Sequence, residues 1–275
     1  MSDAAMRVSV LASGSTGNAV YVEAGDTKVL LDAGVGIRQL QAAFKEIGVS
    51  LETLDAILVT HEHSDHVRGL AALLRRVSVP VYATAGTWSQ IASASEGCAD
   101  LVARTIGAGV PFTLGALTCE PFALSHDAEE PVGFSLYAGG RKLVLATDLG
   151  YASARVKEVT KGADAYILET NHDVEMLRAG PYPWHLKRRI LGDKGHLSNA
   201  HAAEYLLDVM GEATGEVYLA HLSQENNRPD LAHHELARAL LSVHREVRER
   251  VQLYETRPDG PTPLADVGAK HSQIS

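Results

Sequence analysis

Seven consecutive residues, Thr60-His61-Glu62-His63-Ser64-Asp65-His66, constrain this chain more than any other stretch. They lie between the apolar run Ala56-Ile57-Leu58-Val59 and a segment whose apolar residues Val67, Leu70, Leu73 and Leu74 recur at helical spacing. A strand must therefore run directly into a helix over Asp65–Arg76, with Ser64 and Asp65 as good capping types at the junction. Alternate residues of an extended chain project the same way, so His61 and His63 can converge on one ion. After the turn, Asp65 and His66 can face a second. Imidazoles with a few carboxylates suit Zn²⁺, Mn²⁺ or Fe²⁺ better than Mg²⁺ or Ca²⁺. The competing reading, a solvated polar loop, leaves this clustering of histidines unexplained.

Short apolar runs punctuated by glycine predict strands over Val8-Leu11, Ala19-Glu23, Val29-Asp32, Ala56-Thr60 and Pro80-Ala83. A second set covers Leu117-Ala123, Gly133-Tyr137, Leu143-Thr147, Ala165-Glu169 and Val217-Ala220. Helical spacing marks Ile37-Ile47, Asn199-Met210 and Leu231-Arg250. Gly25-Asp26 between two strands reads as a hairpin turn, which argues for mixed sheets with helices outside rather than a doubly wound parallel sheet. With no internal linker, residues 1–256 are expected to form one domain. The Pro- and Gly-rich stretch 257–275 is expected to be a mobile tail, after a short strand near Val251-Glu255.

The pattern His-x-His-x-Asp-His after a strand resembles the signature of the metallo-β-lactamase superfamily. Further marks of that family follow in order: Asp32-Ala33-Gly34 at a strand end, His126, Asp148 after Leu145-Ala-Thr, and His221 after Tyr218-Leu-Ala. The resemblance implies a four-layer αββα sandwich of two mixed sheets with a two-metal site at the sheet edges. It implies one ion on His61, His63 and His126, a second on Asp65, His66 and His221, and Asp148 between them. Asp65 would also help orient the attacking water, and Asp32 would orient ligands. Such ion pairs lower the pKa of a shared water and polarise the scissile group. Taken singly, Asp32 and Asp148 are also ordinary turn residues, and His126 and His221 ordinary surface or core histidines.

Three stretches narrow the branch: Glu169-Thr-Asn-His-Asp173, Gly195-His196-Leu-Ser-Asn-Ala200 and His221-Leu-Ser-Gln-Glu-Asn-Asn227. Their order is similar to the phosphodiesterase branch that contains ribonuclease Z. There, His196 would give a proton to the leaving oxygen and Glu169 would orient it. The loop Ala12-Ser13-Gly14-Ser15-Thr16-Gly17-Asn18 brings the match close to the bacterial WalJ/YycJ/VicX group, which is associated with exonuclease action on DNA. Ser15 and Asn18 would then meet a phosphate, unless the loop is only a tight turn. Arg178, Lys187, Arg188, Arg189 and Lys194 interleave with Tyr182, Trp184 and His185, as single-stranded nucleic acid requires; Arg188 and Trp184 are the expected contacts. The alternative is a solvated helix face with an aromatic anchor.

The whole chain offers no broad basic face. Its 275 residues carry 34 Asp+Glu against 25 Lys+Arg, a net charge of −9, which disfavours tight non-specific duplex binding. Two cysteines, Cys98 and Cys119, are too few for a disulfide framework. With no apolar run near membrane-spanning length and no signal-like start, the expected location is cytoplasmic. His201, His233, His234, His244 and His271 are expected to serve surface or packing roles. The reading is a dinuclear, metal-dependent phosphodiester hydrolase, a DNA exonuclease acting on single strands. Its rivals are a cyclic-phosphate or other small-molecule phosphodiesterase, a thioesterase or lactonase, and a non-enzymatic metal-bound regulatory partner. Oligomeric state stays open.

Overall fold

The computed structural model describes residues 4–91 and 102–268. Cys98, His271 and the last residues of the expected tail lie outside them. Two seven-stranded sheets face each other. The first runs β14 (Ala265–Asp266), β1 (Met6–Ala12), β2 (Ala19–Ala24), β3 (Thr27–Leu31), β4 (Ala56–Leu58), β5 (Val81–Thr84), β6 (Ala103–Ile106). The second runs β13 (Gln252–Glu255), β12 (Glu216–Ala220), β11 (Ala165–Glu169), β10 (Arg141–Ala146), β9 (Val132–Ala138), β8 (Leu117–Ala123), β7 (Phe112–Leu114). Both are mixed. The β1–β2–β3 pairings are antiparallel and β3 to β6 parallel; β7 to β10 are antiparallel and β10 to β13 parallel.

Three apolar clusters create four layers. Val8, Val22, Leu31, Leu58, Phe134, Leu145 and Ile167 fill the space between the sheets. Leu30, Ile57 and Tyr21 point the other way, onto Leu40 and Phe44 of α1 (Ile37–Glu46) and Leu70 and Leu73 of α3 (Leu70–Leu74). Val144, Leu168 and Leu219 pack on α5 (Ala154–Thr160), α8 (Asn199–Val209) and α9 (Pro229–Leu240). Strands covered on both faces are apolar along their whole length, which is why β4 is continuous rather than alternating. This is the expected αββα sandwich.

The structure differs from expectation in three places. The helix expected over Asp65–Arg76 is broken into α2 (Ser64–Val67) and α3. At the break, Gly69 donates to the Ala33 carbonyl at 2.7 Å, and a side chain at 69 would meet the Val35 carbonyl at 2.0 Å. The helix expected over Leu231–Arg250 stops at Leu240 and resumes as α10 (Arg245–Arg248). Residues 257–268, expected to be mobile, instead cross the open edge of β1. The Thr262 backbone N–H donates to Val10 O at 2.9 Å, its hydroxyl accepts from Val10 N at 3.0 Å, and Ala265 pairs with Val8. An unpaired edge strand explains why this stretch is ordered despite its composition.

Candidate metal centre

Strand ends build the site. Asp32 follows β3, Asp148 lies just beyond β10, and His221 follows β12; among the described residues these three are the non-glycine residues with positive φ, at 60°, 61° and 56°. Left-handed backbone costs about 1–3 kcal/mol for such residues and turns each side chain off its strand. The motif 61–66 crosses over at the end of β4. Its backbone presses on the 32–34 loop: Ala33 N donates to His66 O at 2.8 Å, and a side chain on Gly34 would meet the Asp65 carbonyl at 1.6 Å. Only glycine fits there.

Every imidazole around the centre has one nitrogen committed to a neighbour. His66 Nδ1 lies 2.8 Å from Asp32 Oδ2, His221 Nδ1 3.1 Å from Glu169 Oε1, and His126 Nδ1 3.1 Å from the Gly195 carbonyl. These acceptors take the Nδ1 proton and turn Nε2 toward the centre, where it is the atom a metal ion would meet. His61 Nδ1 sits 3.0 Å from the Thr60 hydroxyl, and its buried Nε2 has no hydrogen-bond partner. Asp32 is itself held by the Thr60 backbone N–H and hydroxyl, both at 2.8 Å.

The free atoms converge. Donor atoms of His61, His63 and His126 lie within 4.8 Å of one another, as do those of Asp65, His66 and His221. Asp148 lies between the two groups. Its Oδ2 is 3.3 Å from His66 Nε2, and its Oδ1 is 3.4 Å from His221 Nε2 and 3.8 Å from His126 Nε2. Buried lone pairs facing one another without hydrogen-bond partners, as at His61 Nε2 and Asp148 Oδ2, are costly unless a cation occupies the space between them. This donor set of imidazole nitrogens and carboxylate oxygens fits divalent transition ions. Asp148, Glu169, His196 and His221 also cluster, but Glu169 is not a free ligand. Its two oxygens accept from Leu149 N at 3.1 Å and Leu197 N at 3.0 Å, and from the Nδ1 atoms of His196 at 2.8 Å and His221.

Charge follows the same geometry. Burial holds the His61 imidazole well below its usual range, reinforced by neighbouring His66. Burial opposes charge on His221 too, but Asp148 and the bonds to Asp65 and Glu169 outweigh it, raising the group to about 10. Burial likewise opposes ionisation of Glu169, and His196 and His221 overcome it, bringing the carboxyl down to about 2.

The centre opens into a cavity of about 250 Å³ whose lining includes His63, His126, Asp148, His196 and His221. Ser15 lines it; Asn18 does not. Asn18 is buried, accepting from Gly14 N at 3.0 Å and lying 3.4 Å from Asp65 Oδ2, so it braces the loop against the donor set. Arg188 and Trp184, the expected contacts on α7 (Trp184–Ile190), are exposed and outside the lining. The opposite face of α7, with Leu186, Arg189 and Ile190, lines the cavity together with Tyr182. Lys187 is buried, donating to the Arg178 and Gly180 carbonyls at 2.6 and 2.7 Å. Composition flags the stretch but not its inner face; helical spacing from Leu186 to Ile190 is the signal that separates them. Sequence reasoning also missed Asn171, which donates to His221 O at 2.9 Å, and Ser13, whose hydroxyl accepts from His221 N at 2.7 Å.

An αββα sandwich with facing histidine and aspartate donors at its strand ends defines a class, the metallohydrolases of the metallo-β-lactamase fold. A family model described as the beta-lactamase superfamily domain matches residues 27–222. The exodeoxyribonuclease YycJ of Bacillus anthracis is 43% identical over 259 residues, covering 94% of this chain and 98% of that protein. The exodeoxyribonuclease WalJ of Streptococcus pneumoniae is 40% identical over 269 residues, covering 97% and 100%. Among solved structures, the metallo-β-lactamase fold protein YhfI of Bacillus subtilis superposes with a TM-score of 0.68 at 17% identity, covering 94% of this chain and 99% of that one. The chain belongs to the metallo-β-lactamase superfamily, in its YycJ/WalJ family.

Proposed function

We propose that the chain is a metal-dependent exonuclease that hydrolyses phosphodiester bonds at the end of DNA, acting on a single strand. The observation that carries this is His196, beside the donor set and open to the cavity, with Nδ1 fixed 2.8 Å from a fully buried Glu169 carboxylate. Relationship to exodeoxyribonucleases over nearly the full chain supports the choice of DNA. His61, His63 and His126 would hold one divalent ion, and Asp65, His66 and His221 a second, with Asp148 shared; Zn²⁺ and Mn²⁺ are the expected ions, with Fe²⁺ also suited to the donors. When bound, such ions activate water and neutralise charge developing on the phosphate.

The residues of the chain divide the remaining work. Asp65, half-buried at the cavity wall, accepts a hydrogen bond from the attacking water and orients it. His196, its Nδ1 held toward Glu169, presents Nε2 to the leaving oxygen as the proton donor. Glu169 and Asp32 hold imidazoles in the tautomer the centre needs. No described helix is long and apolar enough to cross a membrane.

The test is digestion of end-labelled single- and double-stranded oligonucleotides with Mn²⁺ or Zn²⁺, beside His61→Ala and His196→Ala. Bis-(p-nitrophenyl) phosphate and a thioester serve as controls. A ladder of shortened single strands, lost with His61→Ala and reduced about 100-fold or more with His196→Ala, is expected. Intact DNA alongside a cleaved small diester or thioester refutes the exonuclease reading. Faster digestion of the duplex refutes the single-strand assignment alone.

A further inference from the structure

Arg189 is the lone Lys or Arg among the described residues that line the catalytic cavity. Besides the histidines and the neutral polar residues, the wall carries the carboxylates of Asp65, Asp127 and Asp148 and the side chains of Tyr182, Leu186 and Ile190. Its Nε donates to Asp127 Oδ2. Among the described residues nothing takes its other N–H groups, and its side chain is 57% exposed at the cavity. The second oxygen of Asp127 lies 3.5 Å from His126 Nε2. Asp127 thus bridges the guanidinium and the donor set. The guanidinium faces the same cavity as the donor set.

A guanidinium with a free fork of N–H groups matches a phosphate and binds it more selectively than a point charge does. The ion pair has two consequences. It fixes the fork in one orientation, and it cancels the Asp127 charge that would otherwise repel an anion. Tyr182, Leu186 and Ile190 line the same cavity, an aromatic ring and two apolar side chains of the kind against which a base can lie.

Resting on the exonuclease reading above, we propose that Arg189, oriented by Asp127, binds the phosphate adjacent to the one being cut, with the intervening nucleoside against Tyr182, Leu186 and Ile190. The site then selects chains of at least two phosphate-linked units over small isolated diesters.

The experiment compares kcat/KM on a single-stranded oligonucleotide with kcat/KM on bis-(p-nitrophenyl) phosphate, for the metal-loaded wild type, Arg189→Ala and Arg189→Lys. Loss of one charge-assisted hydrogen-bonding group predicts that Arg189→Ala lowers the oligonucleotide-to-diester ratio about 10- to 100-fold, chiefly through KM. Arg189→Lys should recover part of it. Metal-free protein binding a fluorescent oligonucleotide in EDTA gives a second readout: the slope of log K against log salt should fall by about 0.7 for the one phosphate contact removed. An unchanged ratio and slope, with the wild type digesting DNA, overturns the role of Arg189 alone. Equal losses on both substrates, with reduced metal content, mean that the pair only braces His126 and also overturn it. A wild type inert on every oligonucleotide but active on the diester refutes the exonuclease reading and this proposal together.

Discussion

Replacing Glu169 by glutamine keeps the shape of the most connected side chain in the site and changes one atom. Four N–H groups point at this buried carboxylate: the backbone of Leu149 and Leu197 at Oε2, and Nδ1 of His196 and His221 at Oε1. An amide can accept at only one end. If its NH2 group turns to the backbone side, two buried N–H donors lose their acceptor at about 1–3 kcal/mol each, about 2–6 kcal/mol of stability in all. If it turns to the imidazoles, both rings must move their proton from Nδ1 to Nε2, and His221 Nε2 ceases to be a lone pair facing Asp65 and Asp148. The second orientation costs less and is the expected one. Metal affinity should then fall about 10- to 100-fold, the usual penalty for removing a partner that orients a ligand. Competition against a chromogenic chelator measures it, and urea unfolding of the metal-free protein measures the stability term. A Glu169→Gln protein that holds ions within threefold of wild type and unfolds at the same urea concentration would refute the tautomer argument.

Asp32→Asn retains a residue tolerant of left-handed backbone but sets an amide between Thr60 and His66, so weaker ion binding by about tenfold is expected in the same competition assay, with little loss of fold. Gly34→Ala drives a methyl into the Asp65 carbonyl and should cost about 3 kcal/mol in denaturant unfolding while lowering metal content. His172 is buried, neither of its ring nitrogens has a hydrogen-bond partner among the described residues, and burial pushes its imidazole down to about 4. Between pH 6.5 and 4 the unfolded chain binds a proton there that the folded chain refuses, so folded stability falls as pH drops through that window, by about 3 kcal/mol in total. His172→Gln should lack that component, and parallel slopes of stability against pH for the two proteins would refute it.

How legible the fold and site were depends on how local each signal is. The segment 61–66 spells itself out because its donors follow one another at a strand end, and short interaction distances translate into short sequence spacing. Asp32, Asp148 and His221 each lie just beyond an apolar run, a position visible in sequence although its left-handed backbone is not. The wall of the cavity was harder to read. Arg188 and Arg189 are equally basic neighbours, and only the rotation of a helix decides which one lines the cavity. Asn18 was similarly ambiguous, since a loop rich in Ser, Gly and Asn looks the same whether it cradles a phosphate or, as here, closes on Asp65. Composition also misjudged residues 257–268, because their order comes from a distant edge strand, to which Thr262 bonds across 252 positions of sequence.

The divided origin of the ion-binding donors has a consequence for synthesis. His61, His63, Asp65 and His66 are made before the second sheet exists; His126, Asp148 and His221 emerge later, one strand end at a time. The two groups proposed to hold ions each take members from both sheets. During translation the early half can offer only an open, incomplete chelate, with geometry too loose to discriminate among ions. Selectivity arrives when the two sheets close on each other. On the proposed ligand set, ion retention would report that docking is complete, and a nascent chain stalled before His221 should exchange its metal freely.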